Sequence, residues 1–134
     1  MVRAKKHLGQ HFLKNPETAA RIANALQGDS FRKVLEIGPG MGVLTEHLLK
    51  SDKEVFVVEI DTESVIYLEQ HFPQLDKHII PGDFLQLDLR SLMGEPFALT
   101  GNYPYNISSQ IIFKMLEYPD LIPEMTGMFQ KEVA

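Results

Sequence analysis

One stretch constrains this chain more than any other: Glu36-Ile37-Gly38-Pro39-Gly40-Met41-Gly42, set between a run of apolar β-formers at 34–37 and a helical pattern at 43–49. Glycines at a strand-to-helix turn allow positive φ and let the backbone approach a ligand closely, because a Cβ would obstruct it. Alone, such a loop serves packing or a nucleotide-like cofactor. The dinucleotide fingerprint Gly-x-Gly-x-x-Gly is not met, since Val43 stands where its third glycine belongs and Gly42 comes one residue early, which disfavours hydride transfer. No Gly-Lys-Ser/Thr follows, so a phosphate-gripping P-loop is excluded.

The turn sits in an alternating chain. Residues 16–26 place Ala19, Ile22, Ala23 and Leu26 on one helical face, with Asn15 as N-cap, Pro16 at the first position and Gly28 past the end. Strands are expected at 34–37, 55–60, 78–80, 97–101 and 125–129, and helices at 43–49, 62–72 and 108–118. This order predicts an α/β, Rossmann-like fold, a mostly parallel sheet with helices on both faces and right-handed crossovers. Without repeats or linkers, residues 1–134 read as one domain. The segment 130–134 opens like a helix without a body, so the chain is expected to be part of a longer protein.

Composition narrows the setting. A chain of 134 residues that is 44% hydrophobic and 23% charged suits one soluble domain with a core. No apolar run approaches the roughly 20 residues that span a bilayer, and the N-terminus lacks the apolar stretch of a secretory signal, so a cytoplasmic protein with no membrane partner is expected. There is no cysteine, and the five histidines lack metal-ligand spacing, so no metal is expected. The net charge of -5 has the wrong sign for gripping phosphates. However, residues 1–14 hold Arg3, Lys5, Lys6 and Lys14 and none of the 18 acids, a basic arm before an acidic body.

Three further features fall at strand ends. Glu59 ends the second strand about 20 residues beyond the glycine loop, the spacing at which an acid reaches ribose hydroxyls; Asp61 is better placed to cap the helix after it. Gly82-Asp83-Phe84 follows the third strand, where a carboxylate can accept from an adenine amine and a ring can lie against the base, although alone it reads as a turn with a core phenylalanine. Asn102-Tyr103-Pro104-Tyr105 ends the fourth strand, in the crevice where open α/β sheets bind ligands. An exocyclic amine whose lone pair is delocalised needs acceptors to draw its hydrogens: the Asn102 side-chain oxygen and the Tyr103 carbonyl suit this, with Tyr105 stacked on the base.

Together with Lys6-His7-Leu8-Gly9-Gln10-His11-Phe12-Leu13, Asn106 and Gln130-Lys131-Glu132-Val133-Ala134, these motifs resemble the ribosomal RNA adenine dimethyltransferase family over essentially the whole chain, and its small-subunit, KsgA-type branch more than the antibiotic-resistance methylases. The resemblance implies a class I methyltransferase fold using S-adenosyl-L-methionine, with the 1–14 arm folding over the cofactor, His11 and Leu13 at binding positions, Gly38 and Gly40 at its methionine end, Glu59 on the ribose, Asp83 on the adenine amine, and Asn102 bridging to the target. The implied substrate is 16S ribosomal RNA in an immature small subunit, N6,N6-dimethylated by a monomer, with the last strands and a basic helical domain lying beyond this chain. His11 stands where many relatives carry Asn, and Tyr103 where they carry Leu or Ile. The rival expectations are a non-catalytic RNA-binding assembly or transcription factor on the same fold, and a DNA adenine methyltransferase.

Overall fold

The computed structural model describes residues 16–26, 30–103, 107–126 and 128–129. Helix α1 (Pro16–Asn24) precedes strand β1 (Lys33–Ile37), helix α2 (Val43–Leu48), strand β2 (Glu54–Glu59), helix α3 (Thr62–His71), strand β3 (Ile79–Pro81), helix α4 (Leu89–Met93), strand β4 (Phe97–Tyr103) and helix α5 (Ser108–Leu116). Two short strands, β5 (Glu124–Met125) and β6 (Met128–Phe129), both pair with β4. Every pairing is parallel, in the order β3-β2-β1-β4-β5, with β6 alongside β4. The expected α/β architecture is therefore present.

Alternation along the strands divides the core in two. Val34, Val55, Val57 and Ala98 face Ala19 and Ile22 of α1, Leu44 and Leu48 of α2 and Leu68 of α3. Leu35, Ile37, Val58, Phe97, Leu99 and Tyr103 face the other way, onto Leu89 and Met93 of α4 and Ile111 of α5. Burial on both faces is the reason the strand sequences read as continuous apolar runs rather than strict alternations.

The elements differ from expectation where side chains bond the backbone. His78 ends a 3-10 segment (Pro73–His78) instead of starting β3; its Nδ1 pairs with the Val55 carbonyl at 3.0 Å and its ring stacks on Phe56 at 4.0 Å. The strand expected at 125–129 is split. At the break the Thr126 N–H donates to the Leu99 carbonyl at 2.9 Å, while its own carbonyl accepts from the Tyr103 hydroxyl at 2.6 Å. Helix α4 was not foreseen, although Asp88 caps it through Ser91 and Gly94 closes it in the left-handed region. Helices α1 and α5 stop at Asn24 and Leu116, short of the patterns at 16–26 and 108–118. Asp61 caps α3 as expected, accepting from Ser64 N–H at 2.9 Å. Asn15 and Gly28 lie outside the described residues.

Gly101, inside β4, decides how closely β4 and β1 approach. It has φ +147, and a Cβ there would overlap the backbone of Ile37, its register partner. Replacing it with alanine forces the central strands apart or strains β4. Gly101→Ala is expected to cost about 3 kcal/mol or more by urea denaturation. Gly94→Ala, at a positive φ with open space around it, should cost only about 1 kcal/mol. Equal losses would show that the close approach at Gly101 is not what matters.

Candidate active site

The strand order reverses between β1 and β4: β2 and β3 extend to one side of β1, and β4 lies on the other. In open parallel sheets the crevice at such a switch, outside the carboxyl ends, is where ligands bind. The glycine loop leaves β1 at this point, with Gly38, Gly40 and Gly42 all at positive φ, from +57 to +87. A Cβ on Gly38 would look onto the Asn102 carbonyl at 3.7 Å, so the end of β4 and the start of the loop face each other. Gly42 does something different. A Cβ there would strike the Phe72 ring, so the early third glycine seats α2 against the end of α3.

Glu59 holds the loop. It is 1% exposed; one carboxylate oxygen accepts from Gly40 N–H at 3.1 Å and the other from Asp61 N–H at 2.9 Å. Its own carbonyl accepts from Gly82 N–H at 2.9 Å, linking the turn after β3 to the same point. Carboxylate oxygens accept more than one hydrogen bond, so a carboxylate held this way remains able to meet hydroxyls. Asp83, half-buried beside Gly82, uses Oδ1 to cap a 3-10 turn through Leu85 N–H at 3.0 Å. That turn carries Phe84 away from the site. Phe84 is buried among Leu89, Met93 and Ile111 on the opposite face, where its burial contributes roughly 1.5–3 kcal/mol, so the reading of its ring against a base is corrected.

Asn102 has a different environment. It is 7% exposed, and its side-chain oxygen has no hydrogen-bond partner among the described residues. Tyr103, next to it, points into the α5-side core; burial and then the Glu36 carboxylate hold its phenol well above the usual range. The Tyr103 side chain is therefore committed to the core and to the Thr126 carbonyl rather than to the crevice. Tyr105, with Pro104 and Asn106, and His11 and Leu13 in the 1–14 arm lie outside the described residues.

Sequence reasoning passed over Glu36 as a functional residue. It lies wholly buried in β1, two residues before Gly38, on the same sheet face as Glu59, Thr100 and Asn102. Thr45 of α2 donates to its Oε1; among the described residues Oε2 has no partner, and neither has the hydroxyl of Thr100, its register partner on β4. Burial, partly offset by Thr45 and reinforced by Glu59, pushes its carboxyl up to about 8. Among the described residues there is no group of three or more acids or histidines able to hold a metal, and no helix long and apolar enough to cross a membrane.

Comparison with known proteins decides the family. Residues 1–134 match the family model described as ribosomal RNA adenine dimethylase. The chain belongs to that family. Relatives of the chain include the ribosomal RNA small subunit methyltransferase A of Bacteroides thetaiotaomicron, 58% identical over 135 residues, covering 100% of this chain and 51% of that protein. The chain spans about half the length of the curated relatives it matches. The solved 23S rRNA methyltransferase ErmE superposes with a TM-score of 0.69 at 34% identity, covering 84% of this chain and 46% of that one. A dimethyladenosine transferase from Plasmodium falciparum gives 0.71 at 31% identity, covering 88% and 42%. The chain thus has the Rossmann-like fold of class I S-adenosylmethionine-dependent methyltransferases, as its motif order implied.

Glu36 heads the glycine motif, yet nothing in that motif assigns it a role. An acid set among the apolar residues Val34, Leu35 and Ile37 of β1 is the signal that marks Glu36. An unfolded glutamate titrates near about 4.3, so between there and about 8 the folded chain holds the extra proton. The stability that neutral Glu36 contributes is complete below the lower value and is lost as pH rises through the upper one. The stability difference between Glu36→Gln and the parent is therefore expected to move in favour of Gln by about 1.4 kcal/mol per pH unit across this window, read by urea denaturation. A difference independent of pH would mean that the buried carboxyl is ionised throughout.

Proposed function

We propose that the protein carrying this chain transfers methyl groups from S-adenosyl-L-methionine to the exocyclic amine of adenosines in small-subunit (16S) ribosomal RNA, giving N6,N6-dimethyladenosine, in the cytoplasm during subunit assembly. The observation that carries this reading is the buried side-chain oxygen of Asn102, without a hydrogen-bond partner among the described residues, on the residue whose backbone carbonyl faces Gly38 at the switch point. A buried acceptor without a donor costs about 1–3 kcal/mol. Its retention at the ligand crevice fits a donor supplied by the target amine. The family match and the names of the relatives support the substrate class.

The residues present fit the cofactor. The positive-φ cradle at Gly38 and Gly40 admits a ligand against the backbone, and Glu59 is already held at the end of β2 for ribose hydroxyls. Asp83 is assigned to the adenine amine of the cofactor, and His11 and Leu13 to an arm over it within the single 1–134 methyltransferase domain. When bound, the cofactor supplies an electrophilic methyl group on a sulfonium. Asn102 Oδ1 and the Tyr103 carbonyl accept the two N–H bonds of the target amine and favour the geometry in which its lone pair points at that methyl. Positive charge grows on the amine only as the new bond forms, so these acceptors stabilise the transition state more than the ground state. Tyr105 stacks on the flipped base. The acidic body needs a basic surface elsewhere in the full-length protein to hold RNA.

The test separates chemistry from binding. In the full-length protein, Asn102→Ala should bind S-adenosylhomocysteine by calorimetry much as the parent does, and lose about 100- to 1,000-fold in methyl transfer to immature small subunits. Undiminished transfer would remove Asn102 from the reaction. Parallel assays on DNA that gave the greater incorporation would move the substrate to DNA, and a parent protein silent toward the cofactor would make the domain a binding module.

A further inference from the structure

Three polar atoms on one face of the sheet have no hydrogen-bond partner among the described residues: Oε2 of Glu36, the hydroxyl of Thr100 and Oδ1 of Asn102. They lie together by register, Glu36 beside Thr100 and Asn102 two residues further along β4, directly below the glycine loop. Asn102 has its role in the proposed reaction; Glu36 has none. Purely structural buried carboxyls are normally saturated with donors, since a half-satisfied one is costly. Glu36 receives one, from Thr45.

Burial and the charge of Glu59 favour the neutral form of Glu36, against the single donor on Thr45. Thr45 from α2 donates; Glu59 at the end of β2 adds negative charge; Thr100 on β4 is uncharged; and the Tyr103 phenol, on the other side of β4, stays neutral. Among the described residues no cation forms an ion pair with Glu36. The missing positive charge is one that a ligand brings. Two residues of strand are about 6.6 Å, so a sulfonium over Gly38 lies on the order of 8 Å from the carboxyl. A unit charge at that range favours the ionised form more than tenfold at the effective dielectric of a protein site.

Resting on the methyltransferase reading, we propose that Glu36 is a specificity-determining residue that senses the charge of the cofactor: it releases its proton when the sulfonium binds and regains one when the neutral thioether product remains, so that the site prefers fresh cofactor to spent. The protons balance. On binding, the Glu36 proton goes to solvent. In the transfer the sulfur–methyl bond breaks, the nitrogen–methyl bond forms, and the amine loses one proton. Glu36 takes up one proton as its attracting cation disappears, and the cycle closes with the single proton that the reaction liberates.

With the carboxyl at about 8 without ligand and lower beside the sulfonium, affinity for S-adenosylmethionine rises with pH between the two values and is level on either side. Affinity for S-adenosylhomocysteine lacks this component. The experiment is calorimetric titration of the full-length protein with each ligand at neutral pH, in buffers of different ionisation enthalpy. The expected result is that S-adenosylmethionine releases at least half a proton more than S-adenosylhomocysteine; the amino-acid group common to both cancels in the difference. Glu36→Gln should abolish that difference and bring the affinity ratio of the two ligands close to pH-independent. Thr45→Val, which removes the donor that favours the carboxylate, should keep the difference and shift its pH window upward. Equal proton release by the two ligands in the parent, or a difference that survives in Glu36→Gln, overturns the proposal while leaving the methyltransferase reading intact. Failure of both ligands to bind the parent overturns that reading and this one with it.

Discussion

The contact on which the rest depends is the approach of β4 to β1 at Gly101 and Ile37. These strands are paired along the full length of β1, and only a residue without a Cβ lets the pairing continue to the carboxyl end, where Ile37 and Gly101 are partners. One step further, the glycine loop begins on β1 while Asn102 sits on β4 with its carbonyl toward Gly38. A wider separation there would turn a crevice with a defined wall into an open edge. The register places Glu36 against Thr100 and so builds the polar band below the crevice.

Around this junction the sheet changes character along its strands. On the face covered by α1, α2 and α3, the amino-terminal positions are apolar: Val34, Val55, Val57 and Ala98. The carboxyl-terminal positions are Glu36, Glu59, Thr100 and Asn102, all buried. The apolar half supplies the burial that holds the fold together. The polar half holds polar atoms that the described residues do not fully satisfy, which is the property of a site rather than of a core. Glu59 sits between the two roles: with both oxygens on backbone N–H groups, it organises the loop and stands at the crevice.

Phe84 and Gly42 show how one motif can be read two ways until packing is known. Each belongs to a stretch that carries the ligand signature, yet Phe84 fills the core opposite and Gly42 makes room for Phe72. Their neighbours Asp83 and Gly38 remain at the crevice. What separates them is direction: a 3-10 turn capped by Asp83 turns the next ring inward, and a loop closed by the Gly42 N–H to the Pro39 carbonyl at 2.9 Å brings its last residue over a neighbouring helix. Neither outcome is encoded in residue type or spacing.

The sequence alone determined the alternation of strands and helices apart from α4 and the split after Met125, the position of the glycine turn, Asp61 as a cap, and the placing of Glu59, Asp83 and Asn102 at strand ends. These are local matters, governed by periodicity, turn chemistry and spacing within a single unit. Tertiary structure alone decided that β4 lies beside β1, that Gly101 had to be glycine, that Tyr103 spends its hydroxyl on Thr126, and that one oxygen of Glu36 has no partner among the described residues. The physical reason is that whether a polar atom has a partner, or a Cβ has room, depends on register between strands far apart in the chain, and long-range register leaves no periodic trace in the sequence.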